Sequence, residues 1–120
     1  MKKHTIYQTM RPKKGRKPFV VETEGYLYSI TGPCKTTMVA LVYKRPYWFA
    51  THYESGMDCT PHKGRSPLAK HWTKREELLE ALSKIPFGVI EDTELAKNCT
   101  QLVQRYKEKK NNHEILDKKA

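Results

Sequence analysis

Side chains that can ligate a metal lie close together in the middle of this sequence. Cys59 and His62 have the spacing of one half of a zinc site, since two intervening residues let both side chains reach one ion. His52, His71 or Cys34 could complete the ligand set. The sequence contains no clear second pair, so we assign no metal and no cofactor. Whether Cys59 and His62 bind zinc is left open.

The same region carries the groups from which a small metal-dependent nuclease could be built. A general base or metal ligand could be drawn from His52, His62, His71, Glu54 and Asp58. Nothing in their spacing requires this role, because histidine and acidic residues are common on hairpins. We therefore predict a protein that is not an enzyme, and we keep the nuclease as an alternative.

Phosphate binding is the chemistry that the charge pattern favours. Formal net charge is +10, yet the first twenty-one residues have seven Lys or Arg and no Asp or Glu. Positive charge this segregated is usually neutralised by a phosphate backbone or an acidic protein surface. These cations are Lys2, Lys3, Arg11, Lys13, Lys14, Arg16 and Lys17. We predict that the five from Arg11 to Lys17 contact the partner.

A second block without acidic residues covers residues 61–75. Its predicted contacts are Lys63, Arg65, Lys70, Lys74 and Arg75. Backbone amides, a hydroxyl and cations occur there within one short stretch, which suits phosphate contact. The block leads into a predicted helix, whose N-terminus also attracts anions. The alternative is a solvated surface loop.

An aromatic strand over residues 47–54 supplies the third candidate surface. Tyr47, Phe49, Thr51 and Tyr53 alternate with Trp48, Ala50, His52 and Glu54, so each set lies on one face. One face should be core, while the other could stack unpaired bases. A protein interface is the alternative for that face. Trp48 and Tyr53 are the predicted aromatic contacts.

The elements that must position these residues follow from the hydrophobic pattern. Strands are predicted over 19–30, 37–43 and 47–54, with a short return strand from Met57 after the Ser55-Gly56 turn. Thr73 and Glu76 predict a capping box for a first helix that ends near Pro86 and Gly88. Asp92 is the predicted N-cap of a second helix, which Asn111-Asn112 should end.

Strands followed by helices indicate an α+β domain. We predict an antiparallel meander of three to four strands with two helices packed on one face. The single domain covers 19–112, after a flexible basic arm at 1–18 and before a charged tail at 113–120. Three cysteines at unpatterned spacings favour a reducing, cytoplasmic setting. No apolar run is long enough to span a membrane.

One part of the chain resembles a pattern found in small proteins of phages and mobile elements. The residues are Trp48-Phe49-Ala50-Thr51-His52-Tyr53-Glu54-Ser55-Gly56, followed by Thr73-Lys74-Arg75-Glu76-Glu77-Leu78. A hairpin of the type W-x-x-T-H-x-x-[ST]-G precedes a capped T-[KR]-x-E helix in that pattern. The resemblance implies an inhibitor of host defence, including the anti-CRISPR proteins, that acts in the host cytoplasm. It assigns no functional residue.

Taken together, the sequence predicts a non-catalytic basic protein that docks on nucleic acid or on a nucleoprotein complex. By the resemblance, the complex would be a CRISPR effector. A protein–protein module that uses an exposed aromatic sheet face, with an acidic protein surface as partner, is the alternative. The sequence does not decide between DNA and RNA.

Overall fold

Four strands and three helices are present in the part of the chain that the structure describes. This computed structural model describes residues 2–11, 16–33, 35–62 and 72–119, with side chains up to residue 111. The elements are β1 (His4–Met10), β2 (Phe19–Thr31), β3 (Thr36–Lys44), β4 (Tyr47–His52), α1 (Arg75–Leu82), α2 (Phe87–Glu91) and α3 (Glu94–Lys119).

The strands form one antiparallel sheet in the order β1-β2-β3-β4, and the helices pack on it. Each strand pairs with its neighbour in sequence, which makes the sheet a meander. The predicted α+β class is thus confirmed. The β1–β2 connection is closed by the pair Met10 and Phe19. The β3–β4 connection is closed by Lys44 and Tyr47, with a cis bond between Arg45 and Pro46.

β2 changes partner along its length, and this lets the sheet curl. Residues 19–25 pair with β1, whereas residues 26–31 pair with β3. Gly25 lies at the change, where a Cβ would stand 2.8 Å from the carbonyl oxygen of Leu41. Only glycine permits this approach of two backbones. This change of partner places β1 near the segment that follows β4.

The curl brings β1 against the segment that follows β4. The Thr9 amide donates a hydrogen bond of 2.9 Å to the carbonyl of Gly56, and the Thr9 hydroxyl donates one of 2.8 Å to the carbonyl of Ser55. The Gln8 amide group also donates to the Thr51 hydroxyl at 3.1 Å. These bonds join the first strand to the last turn of the meander.

The main core lies between the sheet and the first two helices. Its buried members are Ile30, Val39, Leu41, Ala50, Trp72, Leu78, Leu82 and Phe87. α3 contacts β1 and β2, and Ala96, Cys99 and Val103 are buried on it. Cys99 is therefore a core residue, as its place on an apolar helical stripe predicts.

The flexible arm predicted over 1–18 is wrong for residues 4–10, which form β1. This stretch, His-Thr-Ile-Tyr-Gln-Thr-Met, contains no Lys or Arg, and its β-branched and aromatic residues suit a strand. Ile6 is fully buried. The cations of the arm flank the strand, so Arg11 to Lys17 belong to the connection between β1 and β2. The domain begins near residue 4 instead of 19.

Both predicted helix caps are also wrong. Lys74, not Thr73, is the N-cap of α1, and it makes no side-chain cap bond. Thr93 caps α3 in place of Asp92, because its hydroxyl accepts a hydrogen bond of 3.2 Å from the Ala96 amide. Both caps lie one residue from the predicted ones, and such ends are the least determined part of a helix.

α3 also continues past Asn111 and Asn112 to Lys119, so the predicted tail is helical through that residue. Asparagine lowers helix propensity only modestly, and no Gly or Pro follows to end the helix. Pro86 and Gly88, predicted to end the first helix, instead fall at the start of α2. Proline is compatible with a helix start because the first amides have no helical partner there.

The closure between β1 and the turn after β4 depends on Gly56. Its φ is +72°, and a Cβ would lie 2.5 Å from the carbonyl oxygen of Tyr7. We expect Gly56→Ala to lower the free energy of unfolding by at least about 2 kcal/mol, since a left-handed non-glycine residue alone costs roughly 1–3 kcal/mol. Urea denaturation followed by circular dichroism measures this. Ser29→Ala, at an exposed position of β2, is the control, and equal midpoints for both variants would contradict the assignment.

Candidate functional site

Three aromatic side chains form a row at the β3–β4 end of the sheet. The ring centroids of Tyr43 and Trp48 are 4.8 Å apart at an interplanar angle of 35°, and those of Tyr26 and Trp48 are 6.2 Å apart at 51°. The strand register explains the row. Tyr43 pairs with Trp48, and Tyr26 pairs with Leu41, which precedes Tyr43 by two residues on β3, so Tyr26 is the diagonal neighbour of Tyr43. Directly paired and diagonal residues of an antiparallel sheet share one face.

Residues 72–75 run beside this row and add positive charge to it. The Trp48 amide donates a hydrogen bond of 2.7 Å to the carbonyl of Trp72, which pairs the two residues as a β-bridge. The Trp72 indole donates to the carbonyl of Pro61 at 2.8 Å. The Arg75 guanidinium then lies 6.0 Å from the centroid of the Trp48 ring, within cation–π range.

Exposure decides which of these groups can meet a ligand. Tyr43 is 49% exposed, whereas Trp48 is partly buried and packs against the core. Arg45 and Lys74, which are close to these residues in sequence, are exposed cations, whereas Lys44 lies on the opposite face of β3 from Tyr43. We refer to the set as the aromatic–cationic cluster. Its members are Tyr26, Tyr43, Arg45, Trp48, Lys74 and Arg75.

The base of the β1–β2 connection lies near the β3–β4 turn, on the face of the sheet opposite the aromatic row. Met10 and Lys44 line one surface cavity of about 230 Å³, together with Phe49. Arg11, which follows Met10, is exposed, as are Arg16 and Lys17 on the other side of the connection. The curl of the sheet thus brings the start of the N-terminal basic segment near the β3–β4 end.

Several predicted contacts fall outside the described residues. They are Lys13, Lys14, Lys63, Arg65 and Lys70. Lys74 and Arg75, from the same basic block, lie in the aromatic–cationic cluster. The structure brings Arg75 within cation–π range of Trp48, and Lys74 precedes Arg75 in the chain.

Tyr53 does not belong to that surface. It follows the end of β4 at His52, about five residues from Trp48, which is roughly 16 Å along an extended chain. The Lys107 ammonium lies 5.3 Å from the centroid of its ring and 5.0 Å from that of Tyr7. Tyr53 therefore contacts α3 and lies away from Trp48, and its role as a partner contact stays a prediction.

A chain of polar side chains crosses from the β4 turn to α2 at the other end of β4. The distance from His52 Nδ1 to Ser55 Oγ is 2.8 Å, and that from His52 Nε2 to Glu91 Oε1 is also 2.8 Å. The Lys35 ammonium donates to Glu91 Oε2 at 2.6 Å. His52 and Ser55 are buried, so the chain fixes the turn against the helix.

Hydrogen-bond donors in the turn determine the tautomer of His52. The Ser55 amide donates to His52 Nδ1 at 3.3 Å, and because an amide can only donate, Nδ1 must accept. Nε2 therefore carries the proton and donates to Glu91. Burial raises the pKa of the Glu91 carboxyl, but hydrogen bonds from Lys35 and His52 outweigh this and hold it below its ordinary value. The carboxyl is ionised at neutral pH.

Two of the residues considered for zinc or nuclease chemistry make hydrogen bonds within the protein. Both ring nitrogens of His52 are engaged, and Asp58 Oδ1 accepts a hydrogen bond of 2.6 Å from the Thr60 hydroxyl. In the described ranges, no three His, Cys, Asp or Glu side chains stand close enough to hold a metal. Cys34 and His71, two of the proposed ligands, lie outside those ranges.

Sequence reasoning missed three members of these sites. Tyr26 and Tyr43 are recognised as strand residues but not as part of a surface, although a tight turn at Arg45-Pro46 places Tyr43 opposite Trp48. No local sequence signal identifies Glu91 as part of a site. It is 39 residues from His52, and only the packing of α2 on the sheet brings them together.

Comparison with known proteins gives no relative for this chain. No protein-family model matches it, and neither a curated protein nor a solved structure is significantly similar to it. None of the described helices has both the length and the apolar character that a bilayer crossing requires.

Glu91 makes the polar chain dependent on pH. Its pKa lies below the ordinary 4.5 in the folded state, so its contribution to stability is complete above about pH 4.5 and is lost as the pH falls through the folded pKa. We expect Glu91→Gln to lower the free energy of unfolding by about 1–3 kcal/mol at pH 7, since hydrogen bonds to a charged group are weakened. The difference in the free energy of unfolding between Glu91→Gln and the parent should become smaller at lower pH.

Denaturant titrations of both proteins at pH 7, 5 and 3.5 test this. The matched control is Glu76→Gln on the exposed surface of α1, which should differ little from the parent at each pH. A Glu91→Gln gap that is equally large at pH 3.5 would contradict the role of the ionised carboxylate.

Proposed function

We propose that this protein binds single-stranded nucleic acid without catalysis, through the aromatic–cationic cluster. The observation that carries the proposal is the half-exposed ring of Tyr43, which packs on Trp48. Arg75 lies beside Trp48, and Arg45 and Lys74, close to these residues in sequence, are exposed cations. Unpaired bases stack on such rings at roughly 1–3 kcal/mol per base. Bases in a duplex are stacked on one another and do not offer their faces, which favours a single strand.

The packing around Tyr43 supports this role because it leaves little to reorganise on binding. Trp48 is fixed by the backbone hydrogen bond to Trp72 and by contact with the core, and the Tyr43 ring packs against it. Rings held in this way lose little conformational entropy when a base docks. Arg75 beside Trp48 offers a planar cation to a base or a phosphate.

The charge distribution supports a polyanionic ligand. The net charge is +10, and the β1–β2 connection, which starts near Lys44, carries the exposed cations Arg11, Arg16 and Lys17. A strand that stacks a base on Tyr43 could lay its backbone over either group of cations. Each phosphate contact on a single strand contributes about −0.7 to the slope of log affinity against log salt.

For the identity of the nucleic acid, we propose to examine first the guide RNA or the displaced strand of a CRISPR effector. These ligands follow from the resemblance to phage anti-defence proteins. The competing proposal is a protein–protein module, for which the same exposed Tyr43 would be an anchor and the cations would only accelerate encounter.

Replacing Tyr43 should separate stacking from charge. We expect Tyr43→Ala to weaken binding of a fluorescein-labelled twelve-nucleotide oligo(U) or oligo(dT) about 5- to 150-fold, the loss of one stacked base. Tyr43→Phe keeps the ring and should bind within about twofold of the parent. Fluorescence anisotropy measures both. Equal affinity of Tyr43→Ala and Tyr43→Phe would exclude stacking at this residue.

Replacing the cations should change salt dependence instead. We expect Lys74→Ala with Arg75→Ala to reduce the magnitude of the salt slope by about 1.4, which corresponds to two phosphate contacts. Glu80→Gln at an exposed position of α1 is a control for a change of charge away from the cluster. Affinity for the oligonucleotide that does not vary between 50 and 200 mM salt would contradict a nucleic-acid ligand and favour the protein partner.

A further inference from the structure

Two cavities meet at Glu91, on the side of the β4 turn away from the aromatic–cationic cluster. The first, of about 280 Å³, is walled mainly by apolar side chains, among them Met57, Ile85, Phe87 and Ile90. The second, of about 350 Å³, is more polar and is lined by Glu54, Lys97, Thr100 and Gln101. Glu91, His52 and Ala96 line both cavities and so form the boundary between them.

The order Ser55–His52–Glu91 has the polarity of a proton relay, but its serine is not placed to react. Ser55 is 1% exposed, and its Oγ accepts a hydrogen bond of 3.2 Å from the Met57 amide. A substrate carbonyl would have to reach an oxygen that is enclosed by its own turn. The group that both cavities reach is instead Glu91, whose side chain is 18% exposed.

Glu91 can accept further hydrogen bonds. A carboxylate offers about four lone-pair positions, and in the described residues each Glu91 oxygen accepts one bond, from His52 and from Lys35. These bonds hold it ionised and fix its orientation at the boundary of the cavities. A ligand donor that approaches from either cavity would meet a pre-oriented anion.

Charge around the cavities favours a cationic donor. Among the residues that the structure describes, three carboxylates line them, those of Glu54, Asp58 and Glu91, against one ammonium, that of Lys97, which is exposed. Lys35 neutralises part of the Glu91 charge from outside the two cavities. This local excess of negative charge contrasts with the net charge of +10, so a polyanion would be repelled here.

The geometry points to a binding site for a small apolar amine. The apolar body would occupy the first cavity against Phe87 and Ile90, and the protonated nitrogen would donate to Glu91 at the boundary, with Glu54 beyond it. The first cavity is near the lower end of the size range of ligand pockets, which limits the body to about one aromatic ring. The site is independent of the proposed nucleic-acid surface.

The test uses three probes of one shape that differ in charge. Titration of the ¹⁵N-labelled full chain with 2-phenylethylamine, 2-phenylethanol and phenylacetate, followed by amide chemical shifts, compares them. We expect saturable shifts of the Phe87, Ile90 and Ala96 amides with the amine, about tenfold weaker binding of the alcohol, and weaker binding still of the carboxylate. An amine that gives no saturable shift, shifts elsewhere in the chain, or binds no tighter than phenylacetate would overturn the proposal.

Two variants locate the site. Ala96→Leu fills the boundary of both cavities and should abolish amine binding, and Glu91→Gln should lower amine affinity to that of the alcohol while leaving the alcohol unaffected. Val89→Ala, at an exposed residue of the same helix as Glu91, should bind as the parent does. If Ala96→Leu does not fold, Glu91→Gln decides alone. Unchanged amine affinity in Glu91→Gln sinks the assignment.

Discussion

The backbone contact between Thr9 and Gly56 is the constraint on which the arrangement of the molecule depends. A four-stranded meander has two free edges, and here the first strand is joined to the turn that follows the last one. The residue at position 56 must adopt a positive φ and must also lie close to the backbone of β1. Only glycine satisfies both conditions at this position. It also requires a rigid turn, which His52 and Ser55 supply through their mutual hydrogen bonds.

That joint positions both surfaces that could bind a ligand. With β1 in place, Met10 and Lys44 line one cavity, so the β1–β2 connection begins near the β3–β4 turn. With the turn in place, His52 meets Glu91, and α2 and α3 enclose the two cavities. The chain therefore has a cationic surface around one end of β4 and a carboxylate-lined recess near the other.

The extent to which the sequence predicts this structure follows the range of the interactions involved. β2, β3 and β4 are predictable because alternation and tight turns are local signals. β1 is obscured by the cations that flank it, and its closing partner is 47 positions away, at Gly56. The composition of their segments alone singles out Trp48, Lys74 and Arg75 as candidate contacts. Tyr43 needs the strand register, and Glu91 needs the packing of a helix on the sheet, neither of which is written in a short stretch of residues.

The pair of Met10 and Phe19 closes the β1–β2 connection before any of its internal residues is reached. In general, doubling the length of a flexible loop costs only about 0.6 kcal/mol, so a fold that is closed by its strand pairs tolerates changes in loop length. Residues between the two can be inserted, deleted or recharged without touching the bond between Thr9 and Gly56. Selection on the partner can therefore act on this segment quickly, while selection on the fold acts on the strands that hold it.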